Sequence, residues 1–178
     1  FATHGLRVTG VDINEAVIET LQTGGMHIHE PGLRDLVQSA LQSGNLSVQC
    51  CPVPADAYII AVPTPFKEDK QADLSYVISA AESIVPHLPP RCLVVLESTS
   101  PPRTTVDVVL PILERGGLKA GRDFFLAYSP ERVLPGQILR ELIENARVIG
   151  GIDAASAQAG RDLYATFVRG EIILSDAT

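Results

Sequence analysis

The sequence predicts an α/β fold: a doubly wound, mainly parallel sheet with helices on both faces. Three observations carry this. Short apolar runs of buried-strand type recur, at residues 57–62, 93–96 and 124–128. Each is followed by a turn rich in Pro, Ser, Thr or Gly. Each turn then leads into a segment of helical period, so strands and helices alternate along the chain, the pattern of right-handed crossover units.

Taken in order, residues 1–5 read as the tail of a helix with Gly5 as its stop. Residues 6–11 read as a strand, with Gly10 inside it and Asp12 after it. Asn14 can cap the next helix, whose Val17, Ile18 and Leu21 make one apolar face and which Gly24-Gly25 ends. Leu33, Leu36, Val37 and Leu41 mark a second helix. Residues 46–50 are a short strand and 57–62 a stronger one. A charged loop spans 67–73, and Asp73 can cap a helix over 74–85. Residues 93–96 form a buried strand. Thr104 or Thr105 opens a helix with Val108, Val109, Ile112 and Leu113 inward. After the strand at 124–128 come a short helix at 138–143, a strand at 148–149 ending in Gly150-Gly151, a long Ala-rich helix at 154–168 and a last strand at 172–174. No repeat or low-complexity tract is visible.

The bounds agree with one domain. At 178 residues and 46% apolar content the chain can bury a sizeable core. A net charge of -7, with no basic stripe, argues against a nucleic-acid partner. No apolar run approaches membrane-spanning length, and the first residues do not read as a signal peptide. Three cysteines, Cys50, Cys51 and Cys92, include an adjacent pair; this argues against a disulfide framework and for a reducing, cytoplasmic compartment. Cys50, at a strand end, and Cys92, opening an apolar run, read as core thiols. His27 and His29 have i, i+2 spacing with Glu30 beside them, but too few ligands for a metal site, and no metal is expected.

Residues 127–137 hold the most concentrated chemistry. The strand stops at Ser129-Pro130, because proline lacks an amide donor and biases the preceding residue away from helix. Glu131 and Arg132 then stand side by side just past the strand's carboxyl end, where open α/β sheets bind ligands. Pro135-Gly136 forces a turn. On these residues alone, a polar substrate site and an exposed loop with solvated charges are equally good readings.

Four segments in order resemble one family. Tyr128-Ser-Pro-Glu-Arg-Val-Leu-Pro-Gly136, Ile60-Ala-Val-Pro-Thr-Pro-Phe66, Leu96-Glu-Ser-Thr-Ser-Pro101 and Arg147-Val-Ile-Gly-Gly151 are similar to segments of the UDP-glucose/GDP-mannose dehydrogenase family. Arg132-Val133 stands where the UDP-glucose branch carries Phe-Leu, and resembles the branch acting on UDP-N-acetyl-mannosamine. The resemblance implies a Rossmann-like NAD-binding domain over 1–178, from an enzyme that oxidises a sugar primary alcohol to a carboxylate with two NAD in succession. It implies a UDP-sugar substrate, a cysteine and a lysine supplied by later domains, and a homodimer built through the central domain. Two other readings stay open: the UDP-glucose or GDP-mannose branch, and a truncated, non-catalytic NAD-like module.

The resemblance also assigns residues. Asp12 ends a strand at the position where an acid holds the adenine ribose hydroxyls, which favours NAD over NADP; the plainer reading is a turn cap. Val62, Pro63, Thr64 and Pro65 would contact the cofactor, with the Thr64 hydroxyl facing the crevice, or form only a rigid turn. Ser98 and Thr99 would lie beside the nicotinamide, Thr99 holding a water, or would only cap the next helix. Glu131 would activate that water in the last, hydrolytic step. Glu131, Arg132 and Val133 would touch the sugar nucleotide, the Arg through its forked donors. Where Arg103 stands the family often has Gly, which leaves that turn's shape open. No Gly-x-Gly-x-x-Gly precedes Asp12, so the sequence is expected to start inside the first helix of the fold, as a fragment without the first strand and glycine loop that is inactive alone. Without that strand the sheet is expected to be interrupted.

Overall fold

The structure is a computed structural model and describes residues 1–26 and 28–178. It is mixed α/β with mainly parallel strands, as the alternation predicts. The strands form two sheets rather than one continuous sheet: β1 (Val8–Val11) with β2 (Leu46–Gln49), and a five-stranded sheet in the order β3 (Ala57–Ile60), β4 (Leu93–Leu96), β5 (Phe125–Tyr128), β6 (Arg147–Gly151), β7 (Ile172–Asp176). The chain divides correspondingly into two compact units: Phe1–Val53 with Val133–Asn145 and Thr166–Gly170, and Pro54–Arg132 with Ala146–Ala165 and Glu171–Thr178. The division falls between Arg132 and Val133, inside the loop that the sequence marks for substrate.

In the first unit, β1 and β2 run parallel with Val8 opposite Leu46 and Val11 opposite Gln49. A 3-10 turn at Ala2–His4 ends at Gly5, whose φ of 85° belongs to the left-handed region that glycine enters without strain. Helix α1 (Glu15–Gln22) starts as expected: the Asn14 side chain accepts the amide of Ala16 at 3.0 Å. Helix α2 (Leu33–Gln42) forms, but its expected apolar face is poorly covered: Leu33, Val37 and Leu41 are half-buried, Leu36 stays 40% exposed, and the buried residue is Ala40. A two-stranded sheet covers little of a helix. Helix α5 (Ile138–Glu144) also belongs here. Glu30 accepts the amides of Gly136 and Ile138, both at 2.8 Å, and so closes the orphan donors at that helix start. Its carboxylate is thereby engaged with backbone. His27 lies outside the described residues, and no group of three or more metal-ligating side chains occurs among those described.

The second unit holds the core. Strands β3, β4 and β5 run parallel and in register, with Ile60 opposite Leu96 and Leu96 opposite Tyr128. All four residues of β4 are buried, as the apolar run predicts. Tyr58, Ile60, Val94, Leu96, Phe124 and Leu126 pack with Val77, Ala81 and Ile84 of α3 (Ser75–Ile84) and with Val109, Ile112 and Leu113. The N-cap of α3 is Leu74, which has no side-chain cap, and Asp73, one residue earlier, accepts the Ser75 amide at 2.9 Å. The helix expected from Thr104 or Thr105 starts at Thr105, but as a π-turn, Thr105–Val109, and continues as α4 (Leu110–Leu113). Pro111 has no amide to give the regular ladder, and the Leu110 amide reaches back to the Thr105 carbonyl. Helix α6 (Ala154–Tyr164) stops four residues short of the expected end. The amides of Arg169 and Gly170 bond to the Ile143 carbonyl at 2.7 and 3.2 Å, so the chain has to leave helical geometry after Tyr164.

Two strands, β6 and β7, run the other way. β6 pairs antiparallel with β5, Ala127 opposite Gly151 and Tyr128 opposite Gly150, while β7 is parallel to β6. At Gly151 a β-carbon would stand 2.3 Å from the Ala157 amide nitrogen, so glycine is what lets α6 lie this close to β6. Cys92 is buried, as expected; Cys50 and Cys51 are exposed, which corrects the expectation of a core thiol at Cys50. Cys50 follows a strand whose residues are only half-covered. Among the described residues no helix is long and apolar enough to cross a membrane.

Candidate active site at the carboxyl ends of the central strands

Because β3, β4 and β5 are parallel and in register, the loops after Ile60, Leu96 and Tyr128 leave one edge of the sheet side by side. They carry all the candidate residues of this unit, and hydrogen bonds tie them together. The amides of Glu97 and Ser98 donate to the Ile60 carbonyl at 2.9 and 3.1 Å, and the Ser129 amide to the Leu96 carbonyl at 2.9 Å. The Ser98 hydroxyl, 7% exposed, donates to the Val62 carbonyl at 2.7 Å. The Thr64 hydroxyl donates to the Thr99 carbonyl at 2.7 Å. This corrects the expectation that the Thr64 hydroxyl is turned to the crevice: it fastens one loop to the next. Ser98 likewise braces the 62–65 turn rather than capping a helix. The Ser100 amide donates to the Tyr128 hydroxyl at 3.3 Å, linking the second loop to the end of β5, where the third loop begins. Within this braced frame Pro63, Pro65 and Thr99 are exposed, while Val62 and Thr64 are half-buried.

Glu131 is set by two contacts. Its Oε1 accepts the Arg132 amide at 2.6 Å and its Oε2 accepts from Arg147 Nη2 at 2.8 Å. Arg132 is exposed, and its guanidinium donates to the Ala146 carbonyl at 3.0 Å. Val133 is half-buried and belongs to the first unit.

The sequence assigns Arg147 no role beyond its place in a family segment. It is 6% exposed. Nη1 donates to Glu97 Oε1 at 2.8 Å and to Ser129 Oγ at 3.2 Å, and Cζ lies 4.2 Å from the centre of the Tyr164 ring. Counting the antiparallel register of β5 and β6 outward from Tyr128–Gly150 brings position 147 opposite position 131. The first residue of an antiparallel strand thus arrives at the edge where its parallel neighbours end. A basic residue opening an otherwise apolar buried strand was the available signal.

Charge is finely balanced here. Burial pushes the Glu97 carboxyl above its ordinary range, with Arg147 pulling it back and the Glu131 charge adding to the rise. Burial opposes the charge on Arg147, but the hydrogen bond to Glu97 and the neighbouring negative charges leave its pKa raised. Burial, then the charge on Glu97, raises the Tyr164 phenol, which therefore stays neutral.

Asp12 lies in the first unit, just past β1, and is exposed. Its Oδ1 accepts the Asn14 amide at 2.8 Å, so it does cap a turn; Oδ2 keeps the acceptor capacity that a ribose diol would use. A strand-terminal, exposed carboxylate with one oxygen fixed fits the adenosine end of a dinucleotide.

The fold and this edge define a Rossmann-like dehydrogenase domain. Comparison with known proteins makes it particular: residues 1–168 match the NAD binding domain of the UDP-glucose/GDP-mannose dehydrogenase family, and the chain belongs to that family. It is 44% identical over 99% of its length to the UDP-N-acetyl-D-mannosamine dehydrogenase of Methanococcus maripaludis, covering 40% of that protein. It is 45% identical over 99% of its length to the NDP-N-acetyl-D-galactosaminuronic acid dehydrogenase of Ralstonia solanacearum, covering 43% of it. The solved structure of the UDP-N-acetyl-mannosamine dehydrogenase of Staphylococcus aureus matches with a TM-score of 0.96 and 46% identity, over 99% of this chain and 43% of that one. The chain therefore spans less than half the length of each of these relatives. NAD is the cofactor this domain family binds.

Proposed function

We propose that this chain is the NAD-binding domain, residues 1–178, of an enzyme that oxidises the primary alcohol of a nucleotide sugar to a carboxylate, with UDP-N-acetyl-mannosamine as substrate. The observation that carries the reading is the placement of Thr99 and Glu131 three residues beyond paired positions of adjacent parallel strands, Leu96 and Tyr128, in loops braced to each other. Exposed Thr99 positions a water, and Glu131 takes a proton from it as its oxygen adds to the acyl carbon held by a cysteine of a later domain; the sulfur leaves and the acid is released. NAD, when bound, accepts the hydrides of the two earlier steps. Asp12 holds the adenine ribose, Val62, Pro63, Thr64 and Pro65 wall the cofactor side, Ser98 braces that wall, and Arg132 and Val133 meet the sugar nucleotide. The mannosamine branch is supported by Arg132-Val133 and by the names of the similar proteins. The whole protein, on this reading, is a cytoplasmic homodimer; the exposed, unbridged Cys50-Cys51 pair suits a reducing compartment.

The test uses the full-length protein in single-turnover reactions with UDP-N-acetyl-mannosamine and NAD, followed by mass spectrometry. Glu131→Gln keeps shape and loses basicity, so the first hydride transfer persists while hydrolysis slows by about 10²–10⁴-fold and a covalent adduct accumulates. Normal release of the acid, with no adduct, rejects Glu131 as the base. Faster turnover of UDP-glucose or GDP-mannose moves the protein to another branch.

A further inference from the structure

The buried guanidinium of Arg147 serves two carboxylates at once. Nη1 holds Glu97 and Nη2 holds Glu131, each at 2.8 Å. With both acids ionised the trio carries one net negative charge, and neither carboxylate has the cation to itself. At 6% exposure for the Arg147 side chain and 16% for that of Glu97, water screens these interactions little. A carboxylate paired alone with a guanidinium is a weak base, because the cation favours its ionised form; a second carboxylate on the same cation opposes that. The groups facing Glu131 are Glu97 from the end of β4, Arg147 from β6, Tyr164 from α6, and Arg132 of its own loop, whose amide it accepts. Tyr164 stays neutral against the face of Arg147, which leaves Glu97, Arg147 and the exposed Arg132 as the charged neighbours of Glu131.

We propose that Arg147 and Glu97 are positioning residues for Glu131: Arg147 fixes the orientation of its carboxylate, and Glu97 holds back part of the Arg147 charge so that Glu131 remains basic enough to deprotonate water. This rests on the reading of Glu131 as the hydrolytic base. It also accounts for a buried pair that bulk stability alone does not require, since buried ion pairs are often replaceable by apolar groups without loss.

The experiment is the pH–rate profile of acid release by the full-length enzyme in single turnover. Glu97→Gln removes a negative charge, so Arg147 bears on Glu131 alone and the acidic limb moves to lower pH, by about one unit for a change of charge at this range. The plateau rate falls several-fold because the base is weaker. Arg147→Gln removes the cation and moves the same limb to higher pH. Glu97→Asp keeps the charge on a shorter arm and moves the limb in the direction of Glu97→Gln by less. A purely structural role would lower rates without these opposite shifts. Thermal melting and NAD binding check that each variant folds; should Arg147→Gln not fold, the two Glu97 variants decide the sign. An unmoved limb, or one that rises in the Glu97 variants, overturns the proposal. If Glu131→Gln itself releases acid normally, the reading of Glu131 has failed; if it traps the adduct while the Glu97 variants leave the limb in place, only the positioning role has failed.

Discussion

The two compact units differ in how their side chains are covered. Among the described residues, the hydrophobic core cluster lies wholly in the second, built on β3, β4 and β5 with α3 and α4, where Val94, Val95 and Leu96 have no exposure. The first unit buries Ile18, Ala40 and Val168, while Val11 and Ile13, on either side of Asp12, are 45% and 83% exposed. The residues proposed to handle water stand on the densely packed unit; the acid proposed to hold the ribose stands on the sparsely packed one. Catalytic groups need their geometry held by packing and second contacts, whereas a ribose-binding carboxylate is held well enough by a local turn.

Core truncation breaks this comparison most sharply. Leu126→Ala is expected to cost about 2–5 kcal/mol, since it removes a fully buried side chain from a packed layer, while Ile13→Ala is expected to change stability by less than about 0.5 kcal/mol. Urea denaturation of both variants measures the difference; equal costs would mean that the two units are equally packed in solution.

The cysteines sample the same contrast without altering the core. Cys50 and Cys51 are exposed in the first unit, whereas burial pushes the Cys92 thiol of the second up to about 11. At neutral pH its thiolate is correspondingly scarce, and it is 1% exposed, so Cys92 should react with a thiol reagent at least about 10²-fold more slowly than the pair. Denaturant should abolish the difference. Equal rates in the native protein would show that the second unit opens readily.

Asp12→Ala should weaken NAD binding by about 1–3 kcal/mol and narrow the preference over NADP, read by calorimetry on the full-length protein. Unchanged binding would leave Asp12 as a turn cap for Asn14. The smallest effect is expected at Arg103, whose φ of 69° lies in the left-handed region where the resembled family often has Gly. Its guanidinium grips Asp107 through two 2.8 Å hydrogen bonds, an exposed i, i+4 pair that offsets part of the backbone strain. Arg103→Gly should therefore stabilise by no more than about 1 kcal/mol. A fall in melting temperature would show that the pair outweighs the strain.

The placement of the candidate residues at strand ends was legible in the sequence because the information is local. Asp12, Thr99 and Glu131 follow apolar runs, and turn residues mark where each strand stops. The cap at Asn14 forms as its spacing predicts, and Asp73 takes the first amide of α3 from one residue before the N-cap. What could not be read was which partners the polar side chains take. Thr64 and Ser98 spend their hydroxyls on carbonyls of neighbouring loops, a choice set by the register of β3 against β4. Cys50 reads as a core thiol from its place at a strand end, yet it is exposed, because exposure there depends on how far β2 is covered.

By itself, the sequence determined the order of strands and helices, the buried character of β4, and the family through four ordered segments. Apolar period, turn chemistry and motif are properties of neighbouring residues, so no tertiary knowledge is needed to see them. The tertiary structure alone decided that the strands divide into two sheets and that β6 runs antiparallel. Strand direction leaves little mark on the short apolar stretch after Arg147, because a strand buried on both faces reads the same either way. Yet direction is what delivers Arg147. Run parallel, β6 would begin at the opposite edge of the sheet; run antiparallel, it opens beside the ends of β4 and β5, and its first residue reaches both Glu97 and Glu131.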